Sequence, residues 1–109
     1  MRYLRPMPRR LLAVDMIVWP VDGEGGFLPA RLVSHVRMEW EQGVADDPHR
    51  SADAGHGLVF VDAVNSAGAF EVPAGSRVLV SAGPSAFVKA CRRCCVMHGE
   101  VHHWELEVS

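Results

Sequence analysis

The sequence lacks several features that mark common functional classes. It has one lysine against ten arginines and a formal net charge of −2 at pH 7, so no strong overall field attracts it to nucleic acid or anionic lipid. No apolar run has the length of a membrane-spanning helix. Cysteine is absent outside residues 91–95, which excludes a disulfide framework and indicates a reduced, cytoplasmic protein. The scarcity of lysine is typical of GC-rich, mostly bacterial genomes.

The length and composition indicate one domain preceded by an arm. The 109 residues, 49% of them hydrophobic, suit one globular unit with one core. Residues 1–10 are predicted to be extended, because Pro6 and Pro8 oppose a regular helix. Residues 11–109 form the predicted domain, in which the polar, glycine-punctuated residues 41–57 make a long loop. The basic residues that a nucleic-acid partner would contact lie in the arm: Arg2, Arg5, Arg9 and Arg10.

Alternation of apolar and polar side chains predicts strands over most of the domain. An apolar run at residues 14–19 and a glycine-rich linker at 22–26 lead into residues 28–40, a typical hairpin pattern. In the second strand one side carries Ala30, Leu32, Val36, Met38 and Trp40. Further strands are predicted over residues 58–64, 69–72, 77–80 and 101–108. The five strands predicted before residue 81 are expected to form a meander. The residues predicted to be buried are Leu32, Val36, Phe60, Val78 and Val80.

The periodicity changes after Pro84. Phe87, Cys91, Cys94 and His98 recur at helical spacing, which predicts one helix over about residues 84–98. Short antiparallel strands usually protect their edges by curling into a barrel. The sequence therefore predicts a mainly β fold, a small antiparallel barrel of five to six strands with one C-terminal helix.

Residues 14–80 resemble the PWWP and Tudor-type members of the SH3-like barrels. The opening of a PWWP module is similar to the run Ile17-Val18-Trp19, followed by a glycine turn and Leu28-Pro29-Ala30-Arg31-Leu32-Val33. The strand pair that follows in such modules is similar to residues 59–62 with Ala69-Phe70. The resemblance implies an SH3-like barrel in which aromatic residues hold a methylated ammonium group by cation–π attraction. Leu28 stands where those modules carry an aromatic residue. We therefore take from the resemblance the fold and the position of a groove, and not the ligand.

The leading functional hypothesis is a non-enzymatic binding module. A groove lined by Trp19, Phe27, Trp40 and Phe60 would hold a peptide or a nucleic-acid segment. A protein or peptide partner is preferred, because an acidic chain gains little from attraction to phosphates. An alternative is a homo-oligomer whose exposed aromatic residues form the subunit interface.

A second alternative is a small zinc-binding protein. A tetrahedral zinc site uses thiolates and imidazoles. The sequence offers these in Cys91, Cys94, His98 and His102, with His103 as the alternative to His102. The competing interpretation makes Cys91, Cys94 and Cys95 small core residues on the buried side of the helix. No other cofactor is expected, and no nucleophile–base–oxyanion arrangement indicates an enzyme.

Overall fold

Six antiparallel strands form a closed barrel. The computed structural model describes residues 6, 8–41, 55–81, 85–96 and 99–109. The strands are β1 (Val14–Trp19), β2 (Arg31–Glu41), β3 (His56–Asp62), β4 (Arg77–Val80), β5 (Ser85–Cys95) and β6 (Val101–Val108), preceded by a short 3-10 helix, Arg9–Leu11. The predicted mainly β barrel is therefore confirmed. In the described part of the chain, no helix is long and apolar enough to cross a membrane.

Two pairings between strands that are distant in sequence close the barrel. The strand order is β1-β2-β3-β6-β5-β4, with β1 paired to β4 and β3 paired to β6. Each strand therefore has two hydrogen-bonded neighbours, which removes exposed edges. The predicted five-strand meander is wrong in two respects: residues 69–72 form no strand, and β3 is followed in the barrel by β6.

The helix predicted over residues 84–98 is also wrong, because residues 85–95 form β5. This strand pairs with β6 with register shifts between Val88 and Ala90 and between Cys94 and Cys95. Ala86 and Val88 are buried two residues apart, and the next inward side chain is Cys91, three residues later. A bulged strand therefore reproduces the three-to-four-residue spacing that indicates a helix in sequence.

Aliphatic side chains, mostly valine, fill the barrel. Val36, Val78 and Val80 are buried as predicted, whereas Phe60 is only half-buried. Phe60 points outward because its neighbours Val59 and Val61 point into the core. The fully or nearly fully buried members of the core are Met16, Val18, Val33, Val36, Val59, Val61, Val72, Val78, Val80, Ala86, Val88, Leu106 and Val108.

A bulge in β2 explains why Leu32 is not buried. Val33 and Val36 pair with two residues of β1 that have only one residue between them, whereas Val33 and Val36 have two residues between them. One of these two is His35, which has a φ of 59°. The alternation of side chains reverses at this point. Val33 and Val36 therefore both point inward, while Leu32 points outward and is 59% exposed. The prediction that Leu32 is buried is wrong for this reason.

The turn after β3 holds this bulge in place. The Ser66 hydroxyl donates a hydrogen bond to the His35 carbonyl oxygen and accepts one from the Asp62 N–H at 2.9 Å. The fully buried Asp62 carboxylate accepts the N–H groups of Val64 and Asn65 at 2.9 and 2.7 Å. These bonds satisfy polar groups that would be costly to bury unpaired. They also tie the β3 turn to the reversal point of β2.

Trp40 lies on the inner side of β2 above two glycines. A Cβ at Gly57 would lie 2.7 Å from Trp40 Cε3, and a Cβ at Gly55 would lie 2.9 Å from Trp40 Nε1. The ring packs against the core, and its buried Nε1 has no hydrogen-bond partner among the described residues. Trp40 therefore serves the core.

We expect Trp40→Ala to lower the free energy of unfolding by roughly 3–5 kcal/mol, because it empties a large core position. Trp40→Phe should cost clearly less, since it keeps an aromatic ring packed against the core. Urea denaturation of both variants measures the difference. A Trp40→Ala protein as stable as the wild type would contradict the core assignment.

Glu71 ties the irregular segment between β3 and β4 to β5 and β6. Arg93 donates two hydrogen bonds to its carboxylate, at 2.6 and 2.9 Å, and Trp104 Nε1 donates a third at 3.2 Å. The hydrogen bonds from Arg93 and then from Trp104 lower the pKa of Glu71 below its ordinary value. Because a lowered carboxylate pKa favours the folded state only where the group is ionised, this stabilisation is lost as the pH falls through the lowered pKa.

Glu71→Gln should therefore be less stable than the wild type at neutral pH, and the difference should disappear on acidification below the pKa of Glu71. Denaturation midpoints measured across the acidic range test this, with Glu24→Gln at the exposed hairpin tip as the control. A stability difference that stays constant with pH would show that the contact with Arg93 and Trp104 does not depend on the charge.

Candidate functional site

Outward side chains of β1, β2, β4 and β5, with one residue from the β1–β2 connection, form a continuous apolar surface. Their neighbours in each strand point into the core, so the alternation places them on the outside. We call this surface the outer apolar face; it consists of Ile17, Trp19, Phe27, Leu32, Leu79 and Phe87.

The first row of the outer apolar face crosses three strands. Ile17 on β1 pairs with Leu32 on one side and with Leu79 on the other. Leu32 is 59% exposed and Leu79 is 38% exposed. Two exposed leucines thus flank the half-buried Ile17 in lateral contact positions.

The second row places a cation between two strand-paired aromatic residues. Arg77 on β4 pairs with Trp19 on β1 and with Phe87 on β5. Its guanidinium carbon lies 5.0 Å from the centroid of the Trp19 ring, and its Nε donates to Ser85 Oγ at 3.2 Å. Phe87 and Phe27 have ring centroids 6.5 Å apart and are 45% and 46% exposed. Arg77 is thereby held at a fixed place in an apolar surface.

A cleft adjoins this face at one end of the barrel. It has a volume of about 480 Å³ and lies between the β1–β2 connection and residues 70–73. Inside it the guanidinium carbon of Arg31 lies 3.6 Å from the centroid of the Phe70 ring. Leu28, next to Phe27, lines the same cleft and is 49% exposed. A second arginine stacked on an aromatic ring is therefore close to the outer apolar face.

The structure distributes the predicted groove residues over different surfaces. Trp19 and Phe27 belong to the outer apolar face, whereas Trp40 lies on the inner side of the barrel. Phe60 is outward on β3, where its ring centroid lies 6.3 Å from that of His103. The first two residues therefore lie on one surface, Trp19 beside Arg77 and Phe27 beside Phe87, and the other two do not. The sequence does not indicate Phe87 as a surface residue, because the spacing over residues 84–98 predicts a helix.

The predicted metal ligands also separate. Cys91 points inward and packs against the core, whereas Cys94 points outward beside β6. Burial raises the pKa of the Cys91 thiol. His98 lies outside the described residues, and His102 lies on β6 beside His103. The Cys91–Cys94 pair thus does not present both thiols to one site.

Cys94 instead meets two residues of β6, and we call these three residues the Cys–His–Glu cluster. Cys94 pairs directly with His103, and Glu105 follows two residues later on the same side of β6. The Cys94 thiol donates to Glu105 Oε2 at 3.2 Å, and His103 Nε2 lies 3.1 Å from the same oxygen. His103 and Glu105 are largely shielded, with side chains 18% and 23% exposed.

Hydrogen bonds and burial shift the pKa values of Glu105 and Cys94. The bond from Cys94 and then that from His103 lower the pKa of Glu105. Burial, followed by the bond to Glu105, raises the pKa of the Cys94 thiol. The Arg92 guanidinium approaches the other oxygen of Glu105, with Nη1 4.0 Å from Oε1. This oxygen faces away from Cys94 and His103. Glu105 is therefore an ionised acceptor shared by a thiol and an imidazole.

Only part of the predicted basic arm can be placed. Arg2 and Arg5 lie outside the described residues, Arg9 begins the 3-10 helix, and Arg10 in the same helix is exposed.

Comparison with known proteins gives no match: no protein-family model, no curated protein and no solved structure is significantly similar to this chain.

Proposed function

We propose that this protein is a non-enzymatic binding module that holds a segment of another protein on the outer apolar face. The observation that carries the proposal is the exposure of four large apolar side chains on one continuous surface: Phe27, Leu32, Leu79 and Phe87. Apolar clusters of this kind, exposed to water, are typical of interaction sites.

The barrel does not need these side chains for its own core. The inward residues of the same strands, such as Val18, Val78 and Val88, already fill the interior. Replacing the outer apolar residues by polar ones would therefore leave the core intact, so their apolar character is better explained by a partner.

The electrostatics of the face favour a partner segment that combines apolar side chains with a carboxylate. Arg77 lies between Trp19 and Phe87, and Arg31 lies over Phe70 in the adjoining cleft. A guanidinium in apolar surroundings binds a carboxylate more strongly than one in free solvent, and its fork favours a defined orientation. A polyanion would instead need many cations, and the net charge of −2 does not supply them.

Two further observations support the proposal. Residues 14–80 resemble SH3-like modules that hold a protein side chain with residues of the first hairpin, and Trp19 and Phe27 belong to that hairpin here. Cys91, Cys94 and Cys95 are free thiols, which supports a role in a reducing compartment such as the bacterial cytoplasm.

The proposal predicts that Phe87→Ala weakens peptide binding by more than about tenfold while leaving the barrel folded, because exposed aromatics in an interface carry much of the binding energy. Peptides are first selected from a random displayed library against the wild-type protein, and the affinity of synthetic copies is measured by calorimetry. The selected peptides should be rich in apolar residues and contain Asp or Glu.

Arg77→Gln should weaken binding of the acidic peptides and should have little effect on copies in which the acid is replaced by its amide.

Phe60→Ala is the matched control, since it removes an outward phenylalanine from β3. It should retain the affinity of the wild type. Equal loss in Phe60→Ala and Phe87→Ala, or no loss in Phe87→Ala, would contradict the proposal. Sedimentation velocity on the same proteins identifies the homo-oligomer alternative, in which Phe87→Ala converts a wild-type dimer to a monomer.

A further inference from the structure

The geometry points to a zinc site formed by Cys94, His103 and Glu105 on the outer surface of the β5–β6 pair. This site is independent of the outer apolar face and differs from the ligand set expected from sequence. One ligand atom from each residue lies within 4.8 Å of the other two. The three residues come from neighbouring strands of one closed sheet, so the backbone fixes their relative positions.

The separations are close to those of a tetrahedral site. Zinc bonds of about 2.0–2.3 Å to oxygen, nitrogen and sulfur place the ligand atoms roughly 3.3–3.8 Å from one another. Here Glu105 Oε2 lies 3.2 Å from Cys94 Sγ and 3.1 Å from His103 Nε2. These two separations therefore need to lengthen by only a few tenths of an ångström to match a tetrahedral site, and the third, between the ligand atoms of Cys94 and His103, is at most 4.8 Å.

The donor set selects zinc among common divalent ions. A thiolate and an imidazole together are poor ligands for magnesium and calcium, which prefer oxygen. One thiolate and one carboxylate also balance the two positive charges of the ion. Three protein ligands leave the fourth tetrahedral position to water or to a ligand from another molecule.

Neighbouring side chains are placed to orient these ligands. His102 Nδ1 lies 2.8 Å from His103 Nδ1, so His103 can bind a metal through Nε2 while its Nδ1–H donates to His102. An imidazole ligand commonly makes such a bond through its second nitrogen. Arg92 approaches Glu105 Oε1 and leaves Oε2 directed at the cluster. The Phe60 ring beside His103 shields the site on the β3 side.

Metal binding here displaces the proton of the Cys94 thiol. Without metal, this thiol donates to Glu105 Oε2; the ion takes the place of the hydrogen, and Cys94 becomes a thiolate. His103 binds the ion through the Nε2 lone pair, with its ring hydrogen on Nδ1. No oxidation or reduction is involved.

The test is a titration of the full chain, freed of metal by a chelator, first with Co²⁺ and then with Zn²⁺. We expect one equivalent of Co²⁺ to produce a thiolate-to-metal charge-transfer band, and one equivalent of Zn²⁺ to remove it. Cys94→Ser should abolish the band. His103→Ala and Glu105→Gln should weaken binding by more than about tenfold, and His102→Ala should weaken it by about tenfold through lost orientation of His103.

Cys91→Ser and Cys95→Ser are the matched controls, because both change a thiol on the same strand outside the Cys–His–Glu cluster. Both should retain the band and the affinity. Far-UV circular dichroism confirms that each variant is folded, and Zn²⁺ should raise the melting temperature of the wild type but not that of Cys94→Ser. The assignment would be overturned if no one-to-one complex formed. It would also be overturned if the band were lost in Cys91→Ser or Cys95→Ser but kept in Cys94→Ser.

Discussion

The hydrogen bond from Ser66 to the β2 bulge is the constraint on which the surfaces of this protein depend. It holds the backbone at His35, where side-chain alternation in β2 reverses. Before this point Leu32 faces solvent and joins Ile17 and Leu79; after it Val36 and Trp40 face the core. A strand without the bulge would carry one of these two sets on the wrong side of the barrel. The core and the outer apolar face therefore both depend on the bulge at His35.

Local alternation was sufficient to predict most strands but not their partners. In β6 apolar and polar residues alternate, so its inward residues Leu106 and Val108 could be derived from sequence. In β1 and β3 nearly continuous apolar runs predicted the strands but not which side points inward, and Phe60 was wrongly assigned to the core. β5 could not, because its bulges spread Val88 and Cys91 to helix-like spacing. The closure of the barrel rests on pairs such as Val59–Leu106, and no local pattern records which distant strands meet. The seventeen-residue loop expected at 41–57 lies mostly outside the described residues, although Glu41 and His56 belong to β2 and β3.

The same limits explain what was found and missed at the sites. Trp19 and Phe27 were identified as exposed aromatics near the first hairpin, while Phe87 was hidden by the helical interpretation of its strand. For the metal, proximity in sequence grouped Cys91 and Cys94 with His98 and His102 or His103. The inward direction of Cys91 and the cross-strand pairing of Cys94 with His103 replace sequence neighbours by spatial ones. Glu105 carries no sequence signal of its own, since alternating acidic residues are common on the outer side of any strand.

The closure of the barrel through β6 has a consequence for how the chain folds. β6 lies between β3 and β5, so two of the six strand pairings form only after residues 101–108 have been synthesised. Until then β3 presents an unpaired edge with alternating valines, while β1, β2 and β4 are already available to associate. Contacts of this long sequence separation slow folding, because a large loop must be ordered before they form. A chain that has not yet added β6 therefore leaves one edge of β3 and one edge of β5 unpaired, and both edges are open to pairing with other chains.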